Sequence, residues 1–284
     1  VVEADEFDRS FLHLHPNIAC VTSMDADHLD IYGDASAIEE SFREFANKVS
    51  DKTKIFVPKG LDLEGLTIAI NEEATFKAFN IRIENSAYVF DVQTPTEIIK
   101  DIAFGLPGHH NLMNALMALA MAKTYGTPTE SIANALATLK GVQRRFSYQI
   151  KSENRVYIDD YAHHPTEINA VHQAVRELYP NQKVLAIFQP HLFSRTKDFA
   201  DDFAKSLSQF DEVLLLDIYP ARELPMVGIT TSWLMSKMTN DNKKLVSKEE
   251  LIGTILESDA KIIVTIGAGD IGELVPSIKT ALSE

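Results

Sequence analysis

Beyond Gly141 the chain carries four short apolar runs, at residues 156–159, 184–188, 213–217 and 262–266, with helical periodicity between them. Ile168, Val171, Val175 and Leu178 fall on one helical face, and Phe199, Phe203 and Leu207 mark another. Successive strand residues point to opposite sides of a sheet, so a strand that is apolar at almost every position must be covered on both faces. Such strands alternating with helices predict an α/β unit with a mostly parallel sheet between helical layers. The first half reads differently. A short strand is expected at 18–22 and a helix at 35–49, with Ile38, Phe42 and Phe45 at helical spacing. Strands are expected at 54–57, 66–70, 87–92 and 96–99, then helices at 111–125, closed by Gly126, and at 129–139. The change of pattern places a boundary between domains 1–143 and 144–284.

With 45% hydrophobic and 24% charged residues the composition is globular, which excludes disorder and coiled coil. Lys and Arg number 27 against 41 Asp and Glu, a formal net charge of −14. That balance argues against nonspecific nucleic-acid partners and against docking on an anionic membrane. An anionic substrate would need a local basic site. Cys20 is the sole cysteine, which rules out an internal disulfide and fits a reducing compartment. No apolar run is long enough to span a bilayer, and no signal peptide is evident. Val1 and Val2 lead straight into Glu3, Asp5 and Glu6, like the end of a strand that begins upstream. The chain therefore reads as a piece of a longer protein.

Five motifs could carry chemistry. Glu3, Asp5 and Glu6 at a strand end, with Asp25, Asp27 and His28 after the next strand, could converge where parallel strands present ligand sites. Carboxylates with one imidazole suit Mg²⁺ or Mn²⁺; a solvated acidic loop is the alternative. His110, Asn111 and Asn114 open a helix, and the two Asn share a face. Their carboxamides could pair with a base edge, or simply cap the helix.

The third motif, Asp159, Asp160, Tyr161, His163 and His164, sits between a buried-type strand and a helix that starts at Pro165. Its titratable groups could orient a nucleophile or bind nucleotide hydroxyls, or the His pair could be idle. The fourth, His191 and Arg195, also follows a strand. Arg is the side chain best matched to a carboxylate, so this pair could hold an amino acid, although a structural Arg is as plausible. Arg144 and Arg145 could meet phosphate or pair with surface acids. The fifth, Gly267, Gly269 and Gly272, fits a dinucleotide fingerprint, but the chain ends before the acidic residue that such a site wants. It reads as a tight turn into the last helix.

Taken together and in this order, these segments, with Phe146 after the Arg pair and the stretch from Asp217 to Glu223, resemble the Mur ligase family. The resemblance runs over nearly the whole chain. It implies the later part of the central ATPase domain followed by a Rossmann-like C-terminal domain. Within the family the likeness is greatest to the branch that joins L-alanine to the carboxylate of UDP-N-acetylmuramate through an acyl phosphate, using ATP and Mg²⁺ (or Mn²⁺) in the cytoplasm. By that likeness Glu3 and His28 match the metal positions, His28 also counting among the catalytic ones. His110, Asn111 and Asn114 match the adenine side, and Arg145 and Asp160 other nucleotide contacts. Tyr161, His163, His191 and Arg195 match the amino-acid and acyl-phosphate side, and a hinge is implied near Gly141 to Arg144.

Two positions depart from the family pattern. Leu192 stands where some members have Arg, which puts more of the carboxylate clamp on Arg195. Glu39 lies near the place of a carbamylated Lys in sister ligases, so a native carboxylate could serve there. The rivals are a recycling ligase that adds a ready-made peptide to the same sugar nucleotide, a metal-dependent hydrolase using His13 and His15, and a noncatalytic nucleotide-binding module. The family's phosphate loop, G-x-x-G-K-T/S, occurs nowhere in the 284 residues. The isolated chain is therefore expected to be inactive. Phosphate release from ATP by this segment, with UDP-N-acetylmuramate and L-alanine present, should stay at the blank rate.

Overall fold

The computed structural model describes residues 1–25, 29–84 and 87–283. Its contacts divide the chain into Val1–Lys140 and Gly141–Glu284, so residues 141–143 pack with the second unit. The first unit contains, in order, β1 (Ala19–Cys20), α1 (Leu29–Tyr32), α2 (Ala35–Asn47), β2 (Ile55–Pro58), β3 (Leu66–Ile70), β4 (Phe76–Glu84), β5 (Ala87–Gln93), β6 (Ile98–Phe104), α3 (His109–Tyr125) and α4 (Thr129–Thr138). Sheet order follows sequence order. The pairs from β1 to β4 are parallel, whereas β4, β5 and β6 form an antiparallel meander.

Strand alternation builds two cores on this sheet. Phe56 faces the layer of Leu112, Leu116 and Ile132 from α3 and α4, while Ile55 and Val57 face Phe11 and Phe45 on the other side. Asp34 caps α2, its side chain accepting from Ala37 N at 2.9 Å. Gly126, at φ 95°, ends α3 in the left-handed conformation that glycine adopts without steric cost. Strand β4 escapes the sequence reading because only Phe76 and Ala78 are buried along its nine residues.

The second unit holds β7 (Ser147–Lys151), β8 (Val156–Asp160), α5 (Pro165–Leu178), β9 (Val184–Phe188), α6 (Phe193–Asp198), α7 (Ala200–Leu207), β10 (Glu212–Leu215), α8 (Thr231–Lys237), β11 (Lys243–Leu245), α9 (Lys248–Glu257), β12 (Ile262–Ile266) and α10 (Ile271–Ser283). The sheet order is β11-β10-β9-β12-β8-β7, parallel throughout except for the edge pair β7 and β8. Along β9, Val184, Ala186 and Phe188 join the core beneath α5, α7 and α8, while Leu185 and Ile187 join that beneath α9 and α10. Double burial thus accounts for the unbroken apolar runs. Strands β7 and β11 lie outside the runs expected from the sequence because they are short edge strands with mainly polar sequences.

Strand β12 returns last and inserts between β8 and β9, so the loops after three neighbouring strands open on one edge. Its exit is the glycine-rich turn. Gly267 has φ 147°, and a Cβ there would lie 2.8 Å from Gln189 O. A Cβ on Gly269 would collide with Gln189 Oε1 and lie 2.7 Å from Tyr219 Cβ, and one on Gly272 would lie 2.6 Å from Arg144 Cζ. The glycines let the turn press against β9 and Arg144. Gly269→Ala should destabilise this unit by about 1–3 kcal/mol through overpacking, read as a lower urea midpoint by circular dichroism.

Candidate active site at the strand ends of the second unit

Adjacent aspartates at the end of β8 point to opposite faces and do different work. Asp159 accepts from Thr265 Oγ1 at 2.8 Å and from Arg144 Nε at 3.1 Å. Burial raises its carboxyl, and Thr265 and Arg144 offset part of that rise. Asp160, 5% exposed, accepts from Phe146 N at 2.7 Å and Ala162 N at 2.8 Å. Its burial outweighs both donors and pushes its pKa up to about 6. Arg144 also donates to Gly267 O at 2.5 Å, and its guanidinium lies 5.1 Å from the centre of the Tyr161 ring. Arg144 is therefore committed inside the fold. Arg145 keeps 56% of its side chain exposed, 3.7 Å from Glu167 and 5.9 Å from the Tyr161 ring.

The His pair splits into two roles. His164 caps α5: its Nδ1 accepts from Thr166 N at 3.4 Å, and Glu167 reaches back to His164 N at 3.1 Å. His163 turns the other way, with Nδ1 3.0 Å from Tyr161 O and 3.4 Å from the Glu167 carboxylate. Ring contacts then run from Tyr161 to His163 at 5.3 Å, from His163 to His191 at 6.0 Å, and from His191 to Tyr219 at 5.7 Å, the last pair stacked at 22°. Burial, with the nearby His163 and Arg195 charges, pushes the His191 pKa down to about 4. Its Nδ1 is buried without a hydrogen-bond partner. Such an atom is costly unless something satisfies it, which suits a site completed by substrate. Arg195 follows four residues on, in the first turn of α6.

The structure thus brings together Tyr161, His163, His191, Arg195 and Arg145, beside a buried Asp160 whose oxygens are held by backbone. It adds Tyr219 and Glu223, to which sequence reading gave no individual site role, and it ties Arg144 and Asp159 to each other rather than leaving them open to a ligand. The signal for both Tyr219 and Glu223 lay in the apolar run at 213–217 and in the family likeness of the stretch from Asp217 to Glu223.

The remaining candidates belong to the first unit. His110 and Asn114 lie exposed on the first turns of α3, and Asn111 is half-buried with Nδ2 donating to Pro107 O at 2.7 Å. Glu3 is exposed, and His28 lies outside the described residues. Among the described residues no three His, Cys, Asp or Glu side chains are grouped to hold a metal ion, and His13 and His15 are both exposed. Glu39 pairs with Arg43 at 3.2 Å.

An α/β unit with an imidazole-aromatic-Arg cluster at the carboxyl ends of parallel strands belongs to the class that binds ligands in that crevice. Comparison with known proteins narrows the class. Residues 2–122 match the Mur ligase middle domain, and residues 144–269 match the Mur ligase glutamate ligase domain. The chain belongs to the Mur ligase family. It is 74% identical over 284 residues to a protein of Flavobacterium johnsoniae named UDP-N-acetylmuramate–L-alanine ligase, covering 100% of this chain and 63% of that protein. A relative of the same name from Christiangramia forsetii is 62% identical over 282 residues, covering 99% of this chain and 62% of its own. The crystal structure of UDP-N-acetylmuramate-alanine ligase from Thermotoga maritima shares the fold, with a TM-score of 0.77 at 23% identity over 99% of this chain and 63% of that one. The chain therefore spans less than two thirds of the length of these relatives.

The two shifted groups give opposite pH slopes. Asp160, raised from 3.8 to about 6, binds its proton more readily folded than unfolded, so its contribution falls by roughly 3 kcal/mol as pH rises from about 4 to 6. His191, lowered from 6.5 to about 4, does the reverse: its contribution is lost as pH falls through that window. Asp160→Asn should therefore steepen the loss of stability on acidification from pH 6 to 4, measured by urea denaturation. A profile parallel to that of the unmodified protein would contradict the assignment.

Proposed function

We propose that the parent protein ligates L-alanine to UDP-N-acetylmuramate at the expense of ATP. A carboxylate oxygen of the sugar nucleotide attacks the γ-phosphorus of ATP, and ADP leaves. The L-alanine amine then attacks the resulting acyl carbon, the bond to the phosphate oxygen breaks, and the ammonium proton is lost. The observation that carries this reading is the half-buried, neutral His191 packed against His163 and Tyr219, four residues before Arg195. A neutral imidazole accepts a hydrogen bond from an amine without repelling it, which an imidazolium cannot do. Arg195 offers the planar fork that a carboxylate accepts in two bonds. Tyr161 and His163 wall the position, and the half-exposed Arg145 is placed for phosphate charge. Positioning and charge complementarity of this kind supply most of the catalysis in phosphoryl and acyl transfer.

We assign ATP to the first unit through His110, Asn111 and Asn114. Mg²⁺ (or Mn²⁺) remains the metal implied by the family. Of the two matched metal positions Glu3 is the one among the described residues, and it would offer the ion a single exposed carboxylate. A cytoplasmic location, where ATP and nucleotide sugars are present, fits this chemistry. No helix among the described residues is long and apolar enough to cross a membrane. The net charge of −14 fits small-molecule partners better than nucleic acid.

The test is phosphate release from ATP by the full-length parent with UDP-N-acetylmuramate and Mg²⁺. Release should require free L-alanine. Arg195→Ala should raise the KM for L-alanine at least about tenfold, the order expected for a lost charge-assisted bond, and leave the KM for ATP within about twofold. Release only with a muropeptide-type tripeptide would move the protein to the peptide-recycling ligases.

A further inference from the structure

The loops that follow β9 and β10 continue the parallel ladder beyond the strands. Leu216 N donates to Phe188 O at 3.0 Å, Tyr219 N to Pro190 O at 2.8 Å, and Leu192 N to Tyr219 O at 2.9 Å. The last closure is made by a side chain. Glu223 Oε2 accepts from Ser194 N at 3.0 Å, and Oε1 accepts from the Ser194 hydroxyl. Glu223 is itself set by a turn, with Ala221 at φ 48° and Glu223 N donating to Pro220 O at 2.9 Å.

The segment so held is strained. Leu192 has φ 68° and ψ 139°, a conformation that a residue with a Cβ rarely adopts. Thr196 grips the Leu192 carbonyl through its N–H at 3.2 Å and its hydroxyl at 2.7 Å. Ser194 lies between His191 and Arg195, so whatever holds Ser194 fixes both. Burial alone would raise the Glu223 carboxyl, but donation from the Ser194 hydroxyl and N–H and from Phe193 N holds it below the usual glutamate range, so it is ionised at neutral pH.

We propose that Glu223 is a positioning residue for the amino-acid side of the site: by bonding Ser194 through both carboxylate oxygens it locks the strained 191–195 segment and so sets where His191 and Arg195 meet their ligand. It touches no reacting atom in this scheme. The proposal rests on the ligase reading above.

The experiment uses the full-length parent and the variants Glu223→Ala, Glu223→Gln, Ser194→Ala and the Glu223→Ala/Ser194→Ala pair. Glu223→Ala should raise the KM for L-alanine about tenfold, with kcat changed less and the KM for ATP unchanged. Glu223→Gln, which keeps one acceptor oxygen, should recover part of the loss. Because both residues act through one contact, the double variant should be no more than about twofold worse than Glu223→Ala. Amide hydrogen exchange over residues 192–196 should speed up in Glu223→Ala. An unchanged KM for L-alanine, effects that multiply in the double variant, or unaltered exchange at 192–196 would overturn the proposal. If the unmodified parent shows no L-alanine-dependent phosphate release, the ligase reading falls. The exchange measurement then still decides whether Glu223 holds the segment.

Discussion

The buried contact between Arg144 and Asp159 organises the edge of the second unit on which the candidate site stands. One guanidinium joins three pieces of chain: the segment entering the unit, the end of β8 through Asp159, and the end of β12 through Gly267 O. The Arg144 carbonyl completes the lock by accepting Tyr161 N at 2.6 Å. Removing one partner of a buried pair strands the other charge, at a cost of about 3–5 kcal/mol. The geometry explains two unusual backbone positions. Arg144 and Phe146 have φ values of 59° and 46°, and each is tied down by one of the neighbouring aspartates, Arg144 by its side chain to Asp159 and Phe146 by its N–H to Asp160.

From that lock the site follows by topology. Parallel strands send their loops to one edge, and the insertion of β12 between β8 and β9 sets three of those loops side by side. The β8 loop brings Tyr161 and His163, and the β9 loop brings His191 and Arg195. The β12 turn packs flush against β9 because its glycines have no Cβ to hold it away. The β10 loop, bonded to the β9 loop through Tyr219, supplies the ring on which His191 stacks. Close packing of several rings is what keeps His191 neutral, and no single residue in the chain carries that property.

Much of this was legible beforehand. The apolar runs at 156–159, 184–188 and 262–266 announce buried parallel strands, because covering both faces of a strand leaves little room for a polar side chain. Motif residues after those runs fall at strand ends for the same reason, so Tyr161, His163, His191 and Arg195 could be named from spacing and family likeness. Strand β4 was not legible, since its burial is confined to one end. Nor were the separate fates of His163 and His164, which are neighbours in the chain. One faces the cluster and the other caps α5, although Glu167 accepts from the backbone N–H of both.

The sequence by itself determined the alternation of strands and helices, the family, and which loops carry polar chemistry, because periodicity and turn chemistry are local. Only the tertiary structure decided that Arg144 is spent inside the fold while Arg145 is half-exposed. It alone assigned opposite tasks to Asp159 and Asp160, and it alone joined Glu223 to Ser194 across 29 residues of chain. Those outcomes depend on which groups lose water and which partners they meet in exchange. Burial and pairing are properties of the packed chain, and no run of neighbouring residues encodes them.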